Sequence, residues 1–255
     1  MSVIADRIVL VTGASRGIGR ATAMELADAG ARVAIVARRE SRLRLVHDLL
    51  VERGHRCLAF AADVSDRGRI ESVVGEIAST WGPVDMLVNN AGVMPVSLMT
   101  KGRVEDWEST IDINLKGPLY CIAAVLPGML ERGTGHIVNV SSVAGRRVFP
   151  GGVVYAATKH GLHVISEGLR SELSDRARTD GNTIRVTVIA PGVVRTDLLE
   201  SITDEETKEA TTAYYDAHEA PLEASDIAEA IRYAVTTPAH VDVNEILLRP
   251  TGQVR

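Results

Sequence analysis

Short apolar runs alternate with amphipathic segments along most of the chain. The runs are nearly continuous in apolar residues, which is typical of strands buried on both faces of a parallel sheet. They predict strands at about 8–11, 32–37, 56–62, 84–88, 135–142, 183–190 and 245–249. The segments between them predict helices at about 20–27, 40–53, 67–80, 104–132 and 225–236, with a further helix that carries Tyr155 and Lys159. This alternation predicts an α/β fold, a doubly wound parallel sheet of the Rossmann type with helices on both faces.

One segment departs from the alternation. Between residue 195 and about residue 220 the apolar pattern is thin, and Asp, Glu and Thr dominate. Long segments of this kind in compact domains are often functional, so we expect a mobile lid over the substrate, built from short helices. No internal repeat, low-complexity tract or linker divides the sequence. Residues 1–255 are therefore expected to form a single domain.

Composition argues against several classes of function. The formal net charge is -5 and aromatic residues make up 4% of the chain, whereas surfaces that bind nucleic acid are usually basic and offer rings for stacking. We expect no nucleic-acid partner. The first apolar run is too short for a signal peptide and no later run approaches membrane-spanning length, so a cytoplasmic protein with no membrane partner is expected. Cys57 and Cys121 form no CxxC motif and are expected to be reduced, packed thiols.

A glycine-rich stretch follows the first predicted strand. Residues 12–19 read Thr-Gly-Ala-Ser-Arg-Gly-Ile-Gly and lead into the first predicted helix. Glycines at such a turn let a pyrophosphate approach the backbone, and the helix N-terminus directs its free N–H groups toward negative charge. A glycine-rich loop alone is weak evidence, but the flanking strand and helix supply the expected context. The stretch predicts a dinucleotide-binding site.

A second group of residues predicts proton transfer. Tyr155 and Lys159 are four residues apart on a predicted helix, so their side chains share one face. A neighbouring ammonium favours the phenolate and is expected to lower the pKa of the tyrosine from its ordinary value of about 10. Ser142 ends the preceding strand, where its hydroxyl is placed to hold a carbonyl oxygen. A Tyr-x-x-x-Lys pair is common on surface helices, and the dinucleotide loop upstream makes this one specific.

In this order along nearly the whole chain, the motifs resemble the short-chain dehydrogenase/reductase superfamily. The matching stretches are 12–19, Asp63-Val64, Asn89-Asn90-Ala91-Gly92, Asn114, Ser142, Tyr155-x-x-x-Lys159 and 191–196. The resemblance implies that Tyr155 is the catalytic acid/base and that Lys159 lowers its pKa and holds the nicotinamide ribose. It also implies that Ser142 orients the substrate oxygen and that Asn114 keeps a water in a proton relay. The family spacing to the tyrosine selects Ser142 rather than Ser141.

The resemblance further implies a cofactor cleft. In this cleft Asp63 and Val64 contact the adenine, whereas Val194 and Thr196 bind the carboxamide. Together with the arginines considered next, the full set of predicted cofactor-binding residues is Gly13, Ser15, Arg16, Gly17, Ile18, Gly19, Arg38, Arg39, Asp63, Val64, Asn90, Ala91, Gly92, Tyr155, Lys159, Pro191, Gly192, Val194 and Thr196.

The end of the second strand predicts which cofactor binds. An NAD enzyme of this architecture places Asp or Glu about twenty residues beyond the glycine loop, where it accepts from the ribose 2′-hydroxyl. The matching residue is Ala37, which accepts nothing, and Arg38 follows it while Arg16 lies in the glycine-rich stretch. Arginine suits a 2′-phosphate because its planar fork is bidentate and always charged. The sequence therefore predicts NADP; Arg39 fits either the phosphate or the start of a solvated helix.

The predicted reaction is reversible hydride transfer between NADP(H) and a carbonyl/secondary alcohol pair, with Tyr155 as general acid/base. Segments 104–108, 125–132 and 238–244 further resemble the NADP-dependent serine/3-hydroxy acid dehydrogenases and clavaldehyde-type reductases. Two alternatives stay open. A 3-oxoacyl-carrier-protein reductase shares every motif, although the acidic segment 200–219 argues against docking of an acidic carrier. A non-catalytic NADP-binding redox sensor is the other, and it has no need of the tyrosine and lysine that are present.

The small-molecule substrate is left open by the sequence. We expect specificity to lie in loops 93–99 and 146–152 and in the lid. Arg146 and Arg147 fit either contact with an anionic substrate or a solvated loop. The apolar residues Met94, Met99 and Val148-Phe149-Pro150 fit either a pocket or the core.

Two histidines on the tyrosine helix raise the question of a metal site. His160 and His163 lie three residues apart on the tyrosine helix, but no third ligand is spaced to complete a site, so no metal is expected. The resemblance implies a homodimer or homotetramer built through the helices that carry Asn114 and Tyr155.

Overall fold

The computed structural model of the protein describes residues 3–253. Seven strands form one parallel sheet in the order β3-β2-β1-β4-β5-β6-β7. The strands are β1 (Ile8–Thr12), β2 (Arg32–Ala37), β3 (Cys57–Ala61), β4 (Met86–Asn89), β5 (Thr134–Val140), β6 (Thr183–Pro191) and β7 (Glu245–Leu248). The predicted strands lie close to these bounds. The apolar run of β1 is buried at every position, whereas the edge strands β3 and β7 are only partly buried.

Helices cover both faces of the sheet, which confirms the doubly wound fold. They are α1 (Gly17–Asp28), α2 (Glu40–Glu52), α3 (Arg67–Trp81), α4 (Val104–Ile111), α5 (Gly117–Arg132), α6 (Val153–Asp180), α7 (Glu205–Asp216) and α8 (Ala224–Thr236). On one face Leu26 of α1 and Ile231 of α8 belong to the same buried cluster. On the other face Ile77 of α3 and Met129 of α5 belong to a second cluster. The two cores hold the sheet between them.

The order of the strands reverses next to β1. The chain builds β1 to β3 on one side of the sheet, returns to place β4 beside β1, and then continues outward to β7. Ligands of open α/β sheets bind in the crevice at the carboxyl ends of the strands at such a reversal. In this protein the glycine-rich stretch follows β1 at that point, and Asn90 follows β4.

The predicted helix at 104–132 is present but contains a change of pitch. A π-helical segment, Asp112–Lys116, joins α4 to α5 and carries Asn114. Pro118 comes at the first turn of α5, where a missing N–H costs little, and Pro127 lies inside that helix. π-Helical segments occur often at functional sites.

This same helical stretch, Val104–Arg132, is long and apolar enough to cross a membrane by length and composition. The expectation that no segment approaches that length is therefore wrong. Such a stretch is weak evidence for a membrane span, because core helices have the same composition. Here the apolar side chains Ile122, Val125 and Met129 are buried in the second core cluster, and the segment is a core helix of the α/β domain.

The lid segment contains a 3-10 helix, Asp197–Ser201, followed by α7. Its two ends are joined to each other, since the Arg195 N–H donates to the Leu222 carbonyl at 2.7 Å and the Leu222 N–H donates to the Val193 carbonyl at 3.0 Å. No residue of α7 is buried. The lid thus leaves and re-enters the domain at one point, and its mobility stays a prediction.

Candidate active site

A cavity of about 870 Å³ opens at the carboxyl ends of the central strands. Nearly all the predicted site residues line it, from the glycine-rich turn to the lid. The lining residues among them are Gly13, Ser15, Arg16, Gly17, Ile18, Arg38, Arg39, Asp63, Val64, Asn90, Ala91, Gly92, Ser142, Tyr155, Lys159, Pro191, Gly192, Val194 and Thr196. Gly19 and Asn114 lie behind the wall.

The glycine-rich turn needs its glycines for two different reasons. Gly13 and Gly17 have positive φ angles of 66° and 52°, a conformation that favours glycine. A Cβ on Gly13 would lie 2.8 Å from the Cα atom of Ala91, and one on Gly19 would lie 2.4 Å from the side-chain nitrogen of Asn90. Gly19 therefore allows the helix to pack against the neighbouring loop and does not itself face the cavity.

Asn90 holds the turn in place. Its side-chain amide donates to the Thr12 carbonyl at 2.9 Å. The Thr12 hydroxyl accepts from the backbone N–H groups of Asn90 and Ala91 at 3.0 and 3.1 Å. These bonds join the carboxyl ends of β1 and β4, so the amide of Asn90 is engaged in fixing the cleft.

The start of α1 is suited to an anion. Arg16, the residue before the helix, makes no side-chain capping hydrogen bond with the described residues, and the first turn carries no acidic residue. The first N–H groups of the helix are therefore left for another acceptor, and the helix dipole favours negative charge there.

The two arginines predicted to contact a 2′-phosphate both have carboxylate neighbours. The Arg38 guanidinium lies 3.7 Å from a carboxylate oxygen of Asp63. Arg16 donates to the carboxylate of Glu200 and lies 3.4 Å from a carboxylate oxygen of Asp197. No local pattern in the sequence indicates these pairs, because they join segments far apart in the chain.

Tyr155 is in the wall of the cavity, on the first turn of α6, and only 7% exposed. Its hydroxyl shares a hydrogen bond with Ser142. Burial raises the pKa of Tyr155, the nearby Tyr215 adds to the rise, and the bond from Ser142 opposes it. The direction is opposite to the expected one, since removal from water disfavours the phenolate more than its neighbours stabilise it.

Lys159 explains why the expected lowering does not occur. Its ammonium donates to the Val140 carbonyl at 3.0 Å and lies 5.7 Å from the centroid of the Tyr155 ring. Tyr155 and Lys159 do share one face of α6, but the Lys159 ammonium points to the Val140 carbonyl and to the face of the Tyr155 ring, not to the phenol oxygen. Burial lowers the pKa of Lys159 to about 8, so the lysine is itself poised to titrate near neutral pH.

Asn114 is next to the cavity without lining it. Its side-chain oxygen accepts from the Val93 N–H at 2.9 Å, and its side-chain nitrogen donates to the Val93 carbonyl at 2.8 Å. A Cβ on Gly92 would lie 3.3 Å from that oxygen and 3.8 Å from the Lys159 nitrogen. Asn114 therefore sits directly behind Gly92, close to the lysine.

Ser141, the serine not selected by the spacing, faces inward. Its hydroxyl donates to the Lys159 carbonyl at 3.2 Å, and its side chain is buried. Ser142 instead accepts from the Ala144 N–H at 3.1 Å and meets Tyr155. The two hydroxyls therefore have different partners, and the choice of Ser142 as the catalytic serine stays a prediction.

Several lining residues were missed by the sequence reading. On α7 the lid presents Thr207, Thr211, Tyr214 and Tyr215 to the cavity, and their three- and four-residue spacing marks one helix face. That period was present in the sequence. Gln253 is different: its side-chain oxygen accepts from the Val193 N–H at 3.0 Å, and no local pattern indicates that the tail reaches the site.

Arg146 and Arg147, which the sequence assigned either to substrate contact or to a solvated loop, have different environments in the structure. Arg146 is bound to the carboxylate of Glu245. Arg147 lines the cavity and has no hydrogen bond or ion pair with the described residues. Met94 is buried in the cavity wall, whereas Met99 is exposed and outside it.

Residues 148–150 all line the cavity. His160 is bound through its ring to the Ala156 carbonyl at 2.9 Å.

Within residues 3–253 no group of three His, Cys, Asp or Glu side chains is placed to hold a metal. Cys57 and Cys121 are free and buried, and burial raises the pKa of both thiols to about 12.

Comparisons with known proteins agree with this architecture. A family model described as short chain dehydrogenase matches residues 7–207. An uncharacterized oxidoreductase of Staphylococcus saprophyticus is 38% identical over 254 residues, which are 99% of this chain and 99% of that protein. A glycine betaine reductase of Emericella nidulans is 42% identical over 251 residues, which are 98% of this chain but 19% of that protein.

A solved structure of the closed form of serine dehydrogenase complexed with NADP+ superposes with a TM-score of 0.88 at 36% sequence identity, over 97% of this chain and 96% of that one. Serine dehydrogenase from Escherichia coli superposes with a TM-score of 0.80 at 35% identity, over 97% of this chain and 100% of that one. The family match spans most of the chain and the first relative is similar over its full length, and we conclude that the protein belongs to the short chain dehydrogenase family of oxidoreductases.

Proposed function

We propose that the protein is an NADP(H)-dependent carbonyl reductase and alcohol dehydrogenase in which Tyr155 transfers the proton. The observation that carries this proposal is the meeting of Ser142, Tyr155 and Lys159 in the same cavity as the glycine-rich turn. A redox sensor without turnover has no need of that group.

The cavity residues fit a nicotinamide dinucleotide, the cofactor used in this family. The close approach at Gly13 leaves no space for a side chain, and the uncapped start of α1 offers backbone N–H groups to a pyrophosphate. Arg16 and Arg38 are the candidates for a 2′-phosphate, and Asp63 and Val64 for the adenine. When bound, the cofactor supplies or accepts the hydride.

The residues around the end of β2 favour NADP over NAD. Ala37, at the end of β2, offers no acceptor to a ribose 2′-hydroxyl, while Arg16, Arg38 and Arg39 bring positive charge to the cavity. The similar serine dehydrogenase was solved with NADP+, which supports this choice.

Proton transfer is derived from the raised pKa of Tyr155. A buried phenol with a raised pKa stays protonated at neutral pH, so in the reductive direction it is a proton donor. An alkoxide forming on the substrate is far more basic than a phenolate, and it takes this proton readily. Ser142, which shares a hydrogen bond with Tyr155, is placed to hold the same substrate oxygen.

Lys159 and Asn114 act behind the tyrosine in this proposal. A buried ammonium near the phenol stabilises negative charge that develops on its oxygen, even where burial dominates the resting pKa. The Lys159 nitrogen and the Asn114 side-chain oxygen both lie next to Gly92, within 3.8 Å of where a Cβ on that residue would be. This position fits a route by which a proton returns to Tyr155 after turnover, with Asn114 holding the route in place.

The substrate is a small carbonyl compound, and Arg147 favours one that carries an acidic group. Arg147 lines the cavity unpaired with any described residue, while the apolar wall includes Met94, Phe149 and Tyr214. The carrier-protein reductase is less well supported. The lid exposes Glu205, Glu206 and Glu209 beside the cavity, and these repel an acidic carrier.

The lid and the assembly are part of the proposal. We expect the segment 195–220 to close over bound substrate and exclude water. A homodimer or homotetramer through the helices that carry Asn114 and Tyr155 is supported by exposed apolar side chains on them, Leu119 on α5 and Val164 on α6, the latter 70% exposed. Light scattering on the purified protein tests the subunit number.

The experiment that tests the function is a screen of NADPH oxidation against aldehydes, cyclic ketones, keto sugars and β-keto compounds, the last as free acids and as methyl esters. We expect turnover of at least one class, with the acids favoured over the matched esters. Arg147→Met should raise KM for the acid and leave the ester nearly unchanged, while Arg146→Met serves as the paired-arginine control. Absence of turnover with every class contradicts the enzymatic proposal.

A further inference from the structure

A single guanidinium joins the glycine-rich turn to the lid. Arg16 donates to the carboxylate of Glu200, and the carboxylate of Asp197 lies 3.4 Å from the same nitrogen. Both acidic residues belong to the 3-10 helix of the lid. The contact links two segments that are 184 residues apart in sequence.

Glu200 lies among several guanidinium groups. Arg16 holds the pKa of the Glu200 carboxyl below its usual range, and Arg42 and Arg39 act in the same direction. Arg16, Arg39 and Glu200 all line the cavity, at the end where Ala37 closes β2. A carboxylate of the chain therefore occupies the most basic part of the cavity.

We infer that Glu200 is an internal competitor for the cofactor 2′-phosphate, and that it sets how strongly the protein distinguishes NADP(H) from NAD(H). The inference rests on the proposed function, because it takes Arg16 to be a ligand of that phosphate. Asp197 contributes less, since its carboxylate makes only the longer contact.

The competition follows from charge and geometry. A phosphate monoester carries close to two negative charges and three acceptor oxygens, and it engages a guanidinium in bidentate fashion. A carboxylate already bonded to Arg16 must either leave or remain beside a like charge, and both cost free energy. NAD(H) has no 2′-phosphate, so its binding is not opposed in this way.

A consequence for the lid follows. When the 2′-phosphate takes Arg16, the 3-10 helix loses its ionic contact with the glycine-rich turn. Its hydrogen bond from the Met94 N–H to the Ser201 hydroxyl at 2.8 Å and the packing of Leu198 and Leu199 remain. NADP(H) therefore releases this lid contact on binding, whereas NAD(H) leaves it in place.

The test compares Glu200→Gln with Glu206→Gln in the full-length protein. Glu206 is a matched control because it is also a lid glutamate bound to a cation, Lys101, but lies outside the cavity lining. Dissociation constants for NADPH and NADH are measured by fluorescence titration at one ionic strength. We expect Glu200→Gln to tighten NADPH binding about three- to fivefold, the size of an exposed ion pair. Its effect on NADH should be below about twofold, and Glu206→Gln should change neither.

A third variant, Arg16→Leu, separates the inference from the proposed function. If Arg16→Leu weakens NADPH binding but Glu200→Gln leaves it unchanged or weakens it, the competition is overturned and the cofactor assignment stands. If Arg16→Leu leaves NADPH binding unchanged, the assignment of Arg16 to the phosphate fails first. Equal tightening of NADPH and NADH in Glu200→Gln also overturns the inference, since it indicates a general charge effect.

Discussion

The glycine-rich turn and the lid border the same cavity but are held by different kinds of contact. The turn is fixed by close backbone approach and by the hydrogen bonds of Thr12 and Asn90. The lid is attached by ionic contacts, such as Lys101 with Asp204 and Arg16 with Glu200, together with apolar packing of its first helical turn. Buried backbone contacts resist solvent and salt, whereas exposed ion pairs contribute little and are screened. The rigid part of the site can therefore hold the cofactor while the lid adjusts.

Three lid residues reach the core, two of which, Leu198 and Leu199, are partly buried against it. Ile202 is buried with Met94, Val96 and Tyr155, directly beside the residues that carry the proposed proton transfer. The lid therefore has two parts. Its first helical turn packs against the core, whereas α7 has no buried residue. Removing a contact from the core should therefore have large consequences, and removing one from α7 small consequences.

The largest expected effect contrasts a tyrosine of the core with one of the lid. Tyr155→Phe should lower kcat by about 10²–10⁴-fold, the usual range for a general acid, while NADPH binding changes little. Tyr215→Phe removes a hydroxyl from the lid side of the same cavity and should lower kcat by less than about tenfold. Steady-state NADPH oxidation measures both. A Tyr155→Phe enzyme that keeps more than about a tenth of the wild-type rate removes the tyrosine from the mechanism.

An intermediate effect concerns a buried, uncharged histidine in the core. His136, on β5, bonds through its ring to the Thr187 hydroxyl at 2.8 Å, and burial together with Arg185 lowers the pKa of the imidazole to about 3. The unfolded chain binds this proton below about pH 6.5 and the folded chain does not, so the contribution to stability is present above pH 6.5 and is lost as pH falls toward 3. The loss by pH 5 should be about 2 kcal/mol.

Urea unfolding at pH 7 and pH 5 measures this loss. Wild type should lose about 2 kcal/mol more than His136→Gln, because the other titrating groups are common to both. His240→Gln, at an exposed position, is the control and should follow wild type. Parallel losses in all three proteins would show that His136 is protonated in the folded state.

The smallest effect is expected in the lid. Lys101→Met removes the cation that binds Asp204 and Glu206, and amide hydrogen exchange in α7 should become about two- to fivefold faster, with β1 and β4 unchanged.

Lid closure is tested by the same measurement on the wild-type protein. Addition of cofactor and product together should slow amide hydrogen exchange across 195–220. If saturation leaves exchange there unchanged, the segment is not a closing lid.

The sequence predicted the sheet and the glycine-rich turn because both depend on residue type. Buried parallel strands require continuous apolar runs, and Gly13 and Gly17 occupy backbone conformations that favour glycine. Such requirements are local and can be recognised without knowing the partner. The residues of the proton-transfer group were also brought together as predicted, although their roles stay proposals.

The electrostatics of the site were not predictable in the same way. Helical spacing placed Lys159 and Tyr155 on one face of α6, but the carbonyl that accepts the hydrogen bond of the ammonium belongs to Val140 on β5. Likewise, nothing near Arg16 in sequence indicates Glu200. A pKa depends on burial and on every charge packed nearby, and these are properties of the folded chain.

The central claim, that the rigid part of the cavity selects and uses NADP(H), is tested most directly by kcat/KM for NADPH and NADH with one carbonyl substrate. A charge-assisted hydrogen bond to the 2′-phosphate contributes roughly 1.5–3 kcal/mol before screening, so wild type should favour NADPH by about ten- to a hundredfold. Ala37→Asp combined with Arg38→Leu should reverse the order. Equal use of NADPH and NADH by the wild-type protein would contradict the account.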